Sequence, residues 1–179
     1  MVYIDNNKFV VYEPNQKLLT FAKSIFNNRF NSSRVLNART VYERTESRLA
    51  GIVGECVYQE LFPMAKKSPD RDVPFDFYQD GKKIDVKCKY RTVPPKKNFE
   101  ASFFAYQVGQ HFQEVDRYVF MSTMGDFSKV WICGYIEKKD FLDRAVIWKR
   151  GQVDPSNGKV FHEDTYSVFY NQLNQYQIR

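Results

Sequence analysis

Apolar residues in the first third of the chain recur at helical spacing. Leu18, Leu19, Ala22, Ile25 and Phe26 share one face, which predicts a helix over residues 16–30. The polar stretch 31–37 reads as a loop. A second, longer helix follows. Thr40 and Glu43 have the spacing of a capping box. Leu49, Ile52, Val53, Cys56, Val57 and Leu61 mark its apolar stripe, and Pro63 closes it. Gly51 and Gly54 fall inside this helix, where each costs about 1 kcal/mol relative to alanine. Such a cost predicts close approach by another element.

Beyond Pro63 the period shifts from helix to strand. Residues 68–74 read as a polar loop, followed by two strands around Asp80-Gly81. Residues 92–98, with Pro94 and Pro95, form a loop, and 99–112 read equally as strand or short helix. Residues 117–123 and 129–137 read as strands joined by a turn at Gly125-Asp126, and 138–145 as a short helix. The last thirty residues suggest a hairpin around Ser156-Asn157-Gly158 and a terminal strand near 167–170. Helices first and mostly strands afterwards predict an α/β domain with one central sheet and helices on its faces. No internal repeat or low-complexity tract interrupts it.

Asp80-Gly81 is the favoured pair for a two-residue type I′ hairpin loop. Such a loop pairs Gln79 with Lys82, Tyr78 with Lys83, Phe77 with Ile84 and Asp76 with Asp85. Phe75, Phe77, Ile84, Val86 and Cys88 then share an apolar face, and Asp76, Tyr78, Asp85, Lys87 and Lys89 share the other. Two aspartates directly opposite repel. A hard divalent cation between them reverses the sign of that interaction, and carboxylates are natural ligands for Mg²⁺ or Mn²⁺. Lys87 lies on the same face as Asp85, about 6 to 7 Å along the strand. The competing reading is an exposed hairpin face with ordinary charges. Glu55 lies beside the apolar stripe of the second helix, nearly in line with Arg44, Arg48 and Gly51. It could reach the edge of the aspartate pair, or be a surface acid paired with Arg48 or a nearby lysine.

Composition narrows the function classes. A chain of 179 residues with 43% hydrophobic and 17% aromatic residues suits one folded domain. Its net charge of +6 and pI of about 9.1 favour an anionic partner. The run Lys82, Lys83, Lys87, Lys89, Arg91, Lys96 and Lys97 fits either phosphate contacts or a lysine-guarded sheet edge. Three cysteines (Cys56, Cys88, Cys133) with no CxxC argue against a disulfide framework or a zinc site, and each reads as a buried small hydrophobe. Two histidines leave little for a His-based metal site or a Ser/His/Asp triad. No run approaches the roughly 20 apolar residues of a membrane span, and residues 1–7 carry no signal pattern. A cytoplasmic protein without membrane contact is the expectation.

Three segments, in order, resemble the PD-(D/E)xK nuclease superfamily, whose fold is restriction-endonuclease-like: Gly51-Ile-Val-Gly54-Glu55, Pro74-Phe-Asp76 and Ile84-Asp85-Val86-Lys87. Downstream, Gln110-His111, the run Asp116 to Phe120, and Trp131 to Ile136 leading into Lys139-Asp-Phe141 are similar to phage and bacterial members. The resemblance spans residues 40–172. One motif departs from the pattern, reading Pro-Phe-Asp rather than Pro-Asp. A literal Pro-Asp occurs at Pro69-Asp70, so Asp70 and Asp72 stand as substitutes for Asp76.

The resemblance implies a single nuclease domain with a central mixed β-sheet flanked by helices. Residues 1–39 would be an N-terminal helical extension, 40–137 the catalytic core, and 138–179 a C-terminal helix and hairpin. It implies a Mg²⁺-dependent deoxyribonuclease, with Mn²⁺ able to substitute. Asp76, Asp85 and the Val86 carbonyl would hold the metal, and Glu55 would bind its water or a second ion. Lys87 would orient or deprotonate the attacking water, or stabilise charge in the transition state. Arg48, Lys89 and Arg91 would contact phosphates, and Gln110, or else Gln107, would help hold substrate. DNA is the implied partner, and a homodimer would suit double-strand cutting. A phage, defence or repair setting accompanies the resemblance. Two other readings stand beside it: a nuclease-like module that binds nucleic acid or protein without cutting, and an RNA-directed nuclease.

Overall fold

The Asp80-Gly81 turn sets the register on which the centre of the molecule is built. Both residues have positive φ (52° and 76°), as a type I′ loop requires. In the computed structural model, which describes residues 1–30, 45–68, 75–105, 114–155, 158 and 160–177, this turn joins β4 (Phe77–Gln79) to β5 (Lys82–Arg91). The pairs are Phe77 with Ile84, Tyr78 with Lys83 and Gln79 with Lys82, as the turn chemistry predicts.

Five further strands complete this sheet: β1 (Val2–Ile4), β2 (Val10–Tyr12), β3 (Lys66–Lys67), β7 (Arg117–Met124) and β8 (Val130–Glu137). Their order is β1-β2-β8-β7-β5-β4-β3. The β5–β7 pair is parallel and the other pairs are antiparallel. The sheet is therefore mixed and mostly antiparallel. Helices α1 (Gln16–Phe30), α2 (Thr45–Leu61) and α3 (Lys138–Arg144) flank it. A second sheet, ordered β6-β10-β9, is formed by β6 (Glu100–Phe104), β9 (Val146–Trp148) and β10 (Thr165–Phe169).

Strand alternation divides the core between two faces. Ile84 and Val86 of β5, Val119 and Met121 of β7, and Val130 and Ile132 of β8 pack with Ala50, Val53 and Val57 of α2 and with Leu18 and Ala22 of α1. Their neighbours Tyr118, Phe120, Trp131 and Cys133 pack on the opposite face with Ala101, Phe103, Phe141 and Val168. The second sheet and α3 thus cover the face that α1 and α2 leave. Of the two helix glycines, Gly54 makes the expected close approach. A Cβ there would lie 2.4 Å from Cys88 Cβ, whereas one at Gly51 would meet nothing within 4 Å.

The structure corrects several expectations. Residues 2–12 are not part of a helical extension. They form the β1–β2 hairpin, and Val10, Val11 and Tyr12 pair with β8. Their apolar run is too short to show a period, and burial on both faces removes the alternation that marks a half-buried strand. Phe75 belongs to the second-sheet core rather than to the face of Phe77 and Ile84, because it lies before β4 begins. Within the ambiguous segment 99–112, Glu100–Phe104 is a strand. Cys56 and Cys133 are buried as expected, and Cys88 is half-buried. The capping box at Thr40, the loop at 31–37, Arg44, Asp70, Asp72, Gln107, Gln110 and the tip at Ser156-Asn157 lie outside the described residues.

Candidate functional site

Asp76 sits one residue before β4, where the antiparallel ladder gives way to a side-chain contact. Its backbone N–H donates to the Ile84 carbonyl at 2.9 Å. Its Oδ2 accepts the Val86 N–H at 2.7 Å. The carboxylate therefore stands where a strand carbonyl would otherwise accept, and the bond fixes its orientation beside Asp85. Burial, then the charges of Asp85 and Glu55, push the Asp76 carboxyl well above the usual carboxylate range. Lys87 and the Val86 N–H pull in the other direction without offsetting this.

Asp85 lies in the middle of the sheet and is 4% exposed. Its Oδ2 is enclosed and accepts no hydrogen bond. Lys87 Nζ is 2.8 Å away, an ion pair without hydrogen-bond geometry. The same ammonium lies 5.8 Å from the centre of the Phe103 ring on β6. The polar face of β5 is therefore no open hairpin surface: the second sheet covers it. An enclosed carboxylate oxygen without a hydrogen bond is costly. It is also what a hard cation would take as a ligand. Asp76 and Asp85 are therefore the described residues that could hold a divalent metal between them.

Glu55 comes to this group from the other side of the sheet. It rides on α2, whose close packing at Gly54 against Cys88 draws the helix onto β5. The acid lies within electrostatic reach of Asp76. Its carboxylate is held by Arg29, with NH1 to Oε1 at 3.4 Å and NH2 to Oε2 at 3.3 Å, and by Lys67 Nζ at 3.3 Å. Among the described residues, no three His, Cys, Asp or Glu side chains converge tightly enough to hold an ion together. For Glu55 to join the aspartates as a ligand it must leave Arg29 and Lys67.

No protein-family model matches this chain, and no curated protein does.

The residues expected to contact phosphates have partners within the protein. Lys89 donates to Ser102 Oγ at 3.4 Å. Arg91 spans the seam between the sheets. Its Nε donates to Ser122 Oγ at 3.1 Å, and its NH2 donates to the Glu100 carbonyl at 2.8 Å and the Tyr170 hydroxyl at 2.9 Å. Three of its five donors are thus spent inside the protein, which gives it a structural task. Arg48 is half-buried on α2 and has a partner of its own. Within the basic run, Lys82 pairs with Glu137 at 3.0 Å and Lys83 with Glu114. Arg29 and Lys67 are the residues that sequence reasoning missed. Arg29 reads as a favourable charge in the last turn of α1, and Lys67 lies in a two-residue strand with no legible period.

Proposed function

We propose that this protein is a divalent-metal-dependent deoxyribonuclease with a restriction-endonuclease-like core. The observation that carries the reading is the enclosed, unbonded Asp85 Oδ2 beside the charge-crowded Asp76, with Lys87 2.8 Å from the same oxygen. A folded chain sustains two such carboxylates side by side most readily when a cation lies between them.

Asp76 and Asp85 would hold the metal, with the Val86 carbonyl as a further ligand. When bound, Mg²⁺ supplies an activated water and Lewis-acid stabilisation of phosphoryl oxygens. The Val86 N–H pins one oxygen of Asp76 and leaves the other for the ion. Lys87, released from Asp85, would hold the attacking water or stabilise charge on the phosphoryl group in the transition state. The Phe103 ring, its centre 5.8 Å from the ammonium, adds a cation–π contact at that end of the side chain. The net charge of +6 suits a polyanionic substrate, and phosphodiester hydrolysis needs no group beyond these.

A second reading has an observation of its own. Glu55 is committed to Arg29 and Lys67, as it would be in a module that binds nucleic acid without cutting. The test is a gel assay on supercoiled plasmid and labelled single strands, with Mg²⁺, Mn²⁺ or chelator, beside Lys87→Ala. Metal-dependent cutting by the wild type, lost in a variant that melts normally, is the expected result. Full activity in Lys87→Ala would sink the assignment. A wild type inert with every metal would transfer the weight to the binding module.

A further inference from the structure

Glu55 is gripped by two cations for which the proposed reaction has no stated use. The acid is the inner partner, its side chain 14% exposed, while Arg29 and Lys67 are 32% and 46% exposed. Glu55 is thus more enclosed than either cation that holds it. They come from separate elements, the last turn of α1 and the edge strand β3. Arg29 meets both carboxylate oxygens through both terminal nitrogens, the fork geometry that also suits a phosphate. Lys67 shares Oε2 with it.

Among the described residues Glu55 is the acid that Arg29 and Lys67 share, while Lys87 pairs with Asp85. A divalent cation that draws Glu55 away takes from both outer cations the carboxylate they hold in common. Resting on the metal-dependent reading above, we propose that Arg29 and Lys67 are a phosphate-binding pair, held by Glu55 in the metal-free protein and passed to the nucleic-acid backbone when a divalent cation draws Glu55 inward. Metal and substrate would then bind cooperatively, because each removes a partner that competes with the other.

The experiment uses the full chain with Arg29→Gln, Lys67→Gln, their double variant, and Glu55→Gln in both wild-type and double-variant backgrounds. Thermal melts establish that each is folded. Calorimetry with Mn²⁺ reads metal affinity. Fluorescence anisotropy of a labelled DNA duplex, with Ca²⁺ as the cation, reads substrate affinity across a salt series. Each single cation variant should flatten the slope of log affinity against log salt by about 1. Each should also tighten Mn²⁺ binding by about two- to fivefold, because Glu55 is then held by one cation instead of two. In chelator, Glu55→Gln should tighten duplex binding in the wild-type background and lose that gain in the double variant.

A merely structural clamp would lower the melting temperature, leave the salt slope unchanged, and weaken Mn²⁺ binding by misplacing Glu55. An unchanged slope, or Mn²⁺ binding that does not tighten, overturns the inference while leaving the metal site standing. Failure of the wild type to bind Mn²⁺ at all overturns the metal reading, and the inference with it.

Discussion

Gly51 and Gly54 lie one turn apart on α2, and the structure assigns opposite signs to the same substitution at each. Alanine in a helix interior is worth about 1 kcal/mol over glycine. At Gly51 the added Cβ meets nothing within 4 Å, so Gly51→Ala should keep that gain. At Gly54 the Cβ would lie 2.4 Å from Cys88 Cβ and 3.7 Å from Cys88 Cα. These atoms belong to the β5 backbone and its first carbon, and no rotamer moves them away. Carbon atoms pack at about 3.5–4.0 Å, so α2 must retreat from β5 by about 1 Å. Overpacking of this kind costs about 1–3 kcal/mol, and the rigid neighbour places Gly54→Ala at the upper end. Set against the helix gain, the net loss is about 2 kcal/mol. For a chain of this length that lowers the melting temperature by about 4–8 °C, while Gly51→Ala raises it by about 2–4 °C. Far-UV circular dichroism melts in chelator measure both. Because α2 carries Glu55, Gly54→Ala should also weaken Mn²⁺ binding. The cost of Gly54→Ala should shrink in a Cys88→Gly background, which removes the clashing carbon. A Gly54→Ala protein that melts at or above the wild type would refute the close-approach argument.

Other perturbations probe the remaining parts. The Asp76 carboxyl holds its proton more tightly folded than unfolded. Its contribution to metal-free stability is therefore greatest at acid pH and declines as pH rises through and above the ordinary carboxylate range. Melts in chelator between about pH 5 and pH 8 should show this decline, and Asp76→Asn should reduce it while raising stability at the upper end. Arg91→Met strands the Glu100 carbonyl and removes two hydroxyl partners, so it should cost about 2–3 kcal/mol in denaturant titration. It should leave the salt dependence of DNA binding unchanged, unlike a phosphate contact. Burial pushes the Cys56 thiol up to about 11 and the Cys133 thiol to about 12, with Cys88 raised further. Native protein should therefore resist maleimide labelling at neutral pH, and all three thiols should label at once in denaturant.

Legibility of the fold followed the strength of local signals. The α1 boundaries come straight from one apolar stripe, and the β4–β5 register from a turn whose two residues demand positive φ. Both are determined by chemistry within a few residues. The β1–β2 hairpin, β3 and β9 are two or three residues long, too short for any period to register. They exist because neighbouring strands offer them an edge, as β8 does for β2 and β10 for β9. In the second sheet β10 is legible as a terminal strand, but its pairing with β6 is not, since the two lie far apart in sequence and meet only once the chain has folded back.

For the site, the same division explains what could be seen. Asp76, Asp85 and Lys87 belong to one hairpin, so the turn register alone brings them together. Their burial was not legible, because it depends on Phe103 and the rest of a sheet formed from remote segments. That burial matters for the chemistry. On an open hairpin, water would screen the two aspartates and leave Lys87 an ordinary surface ammonium. Beneath the second sheet, burial and the Asp85 charge raise the Asp76 carboxyl, and the enclosed Asp85 Oδ2 keeps Lys87 2.8 Å away as an ion-pair partner without a hydrogen bond. Glu55 shows the opposite case. Its position on α2 could be read from helical spacing, but its partners Arg29 and Lys67 converge from two other elements. The hairpin thus specifies which groups meet, and the tertiary packing decides how strongly they interact.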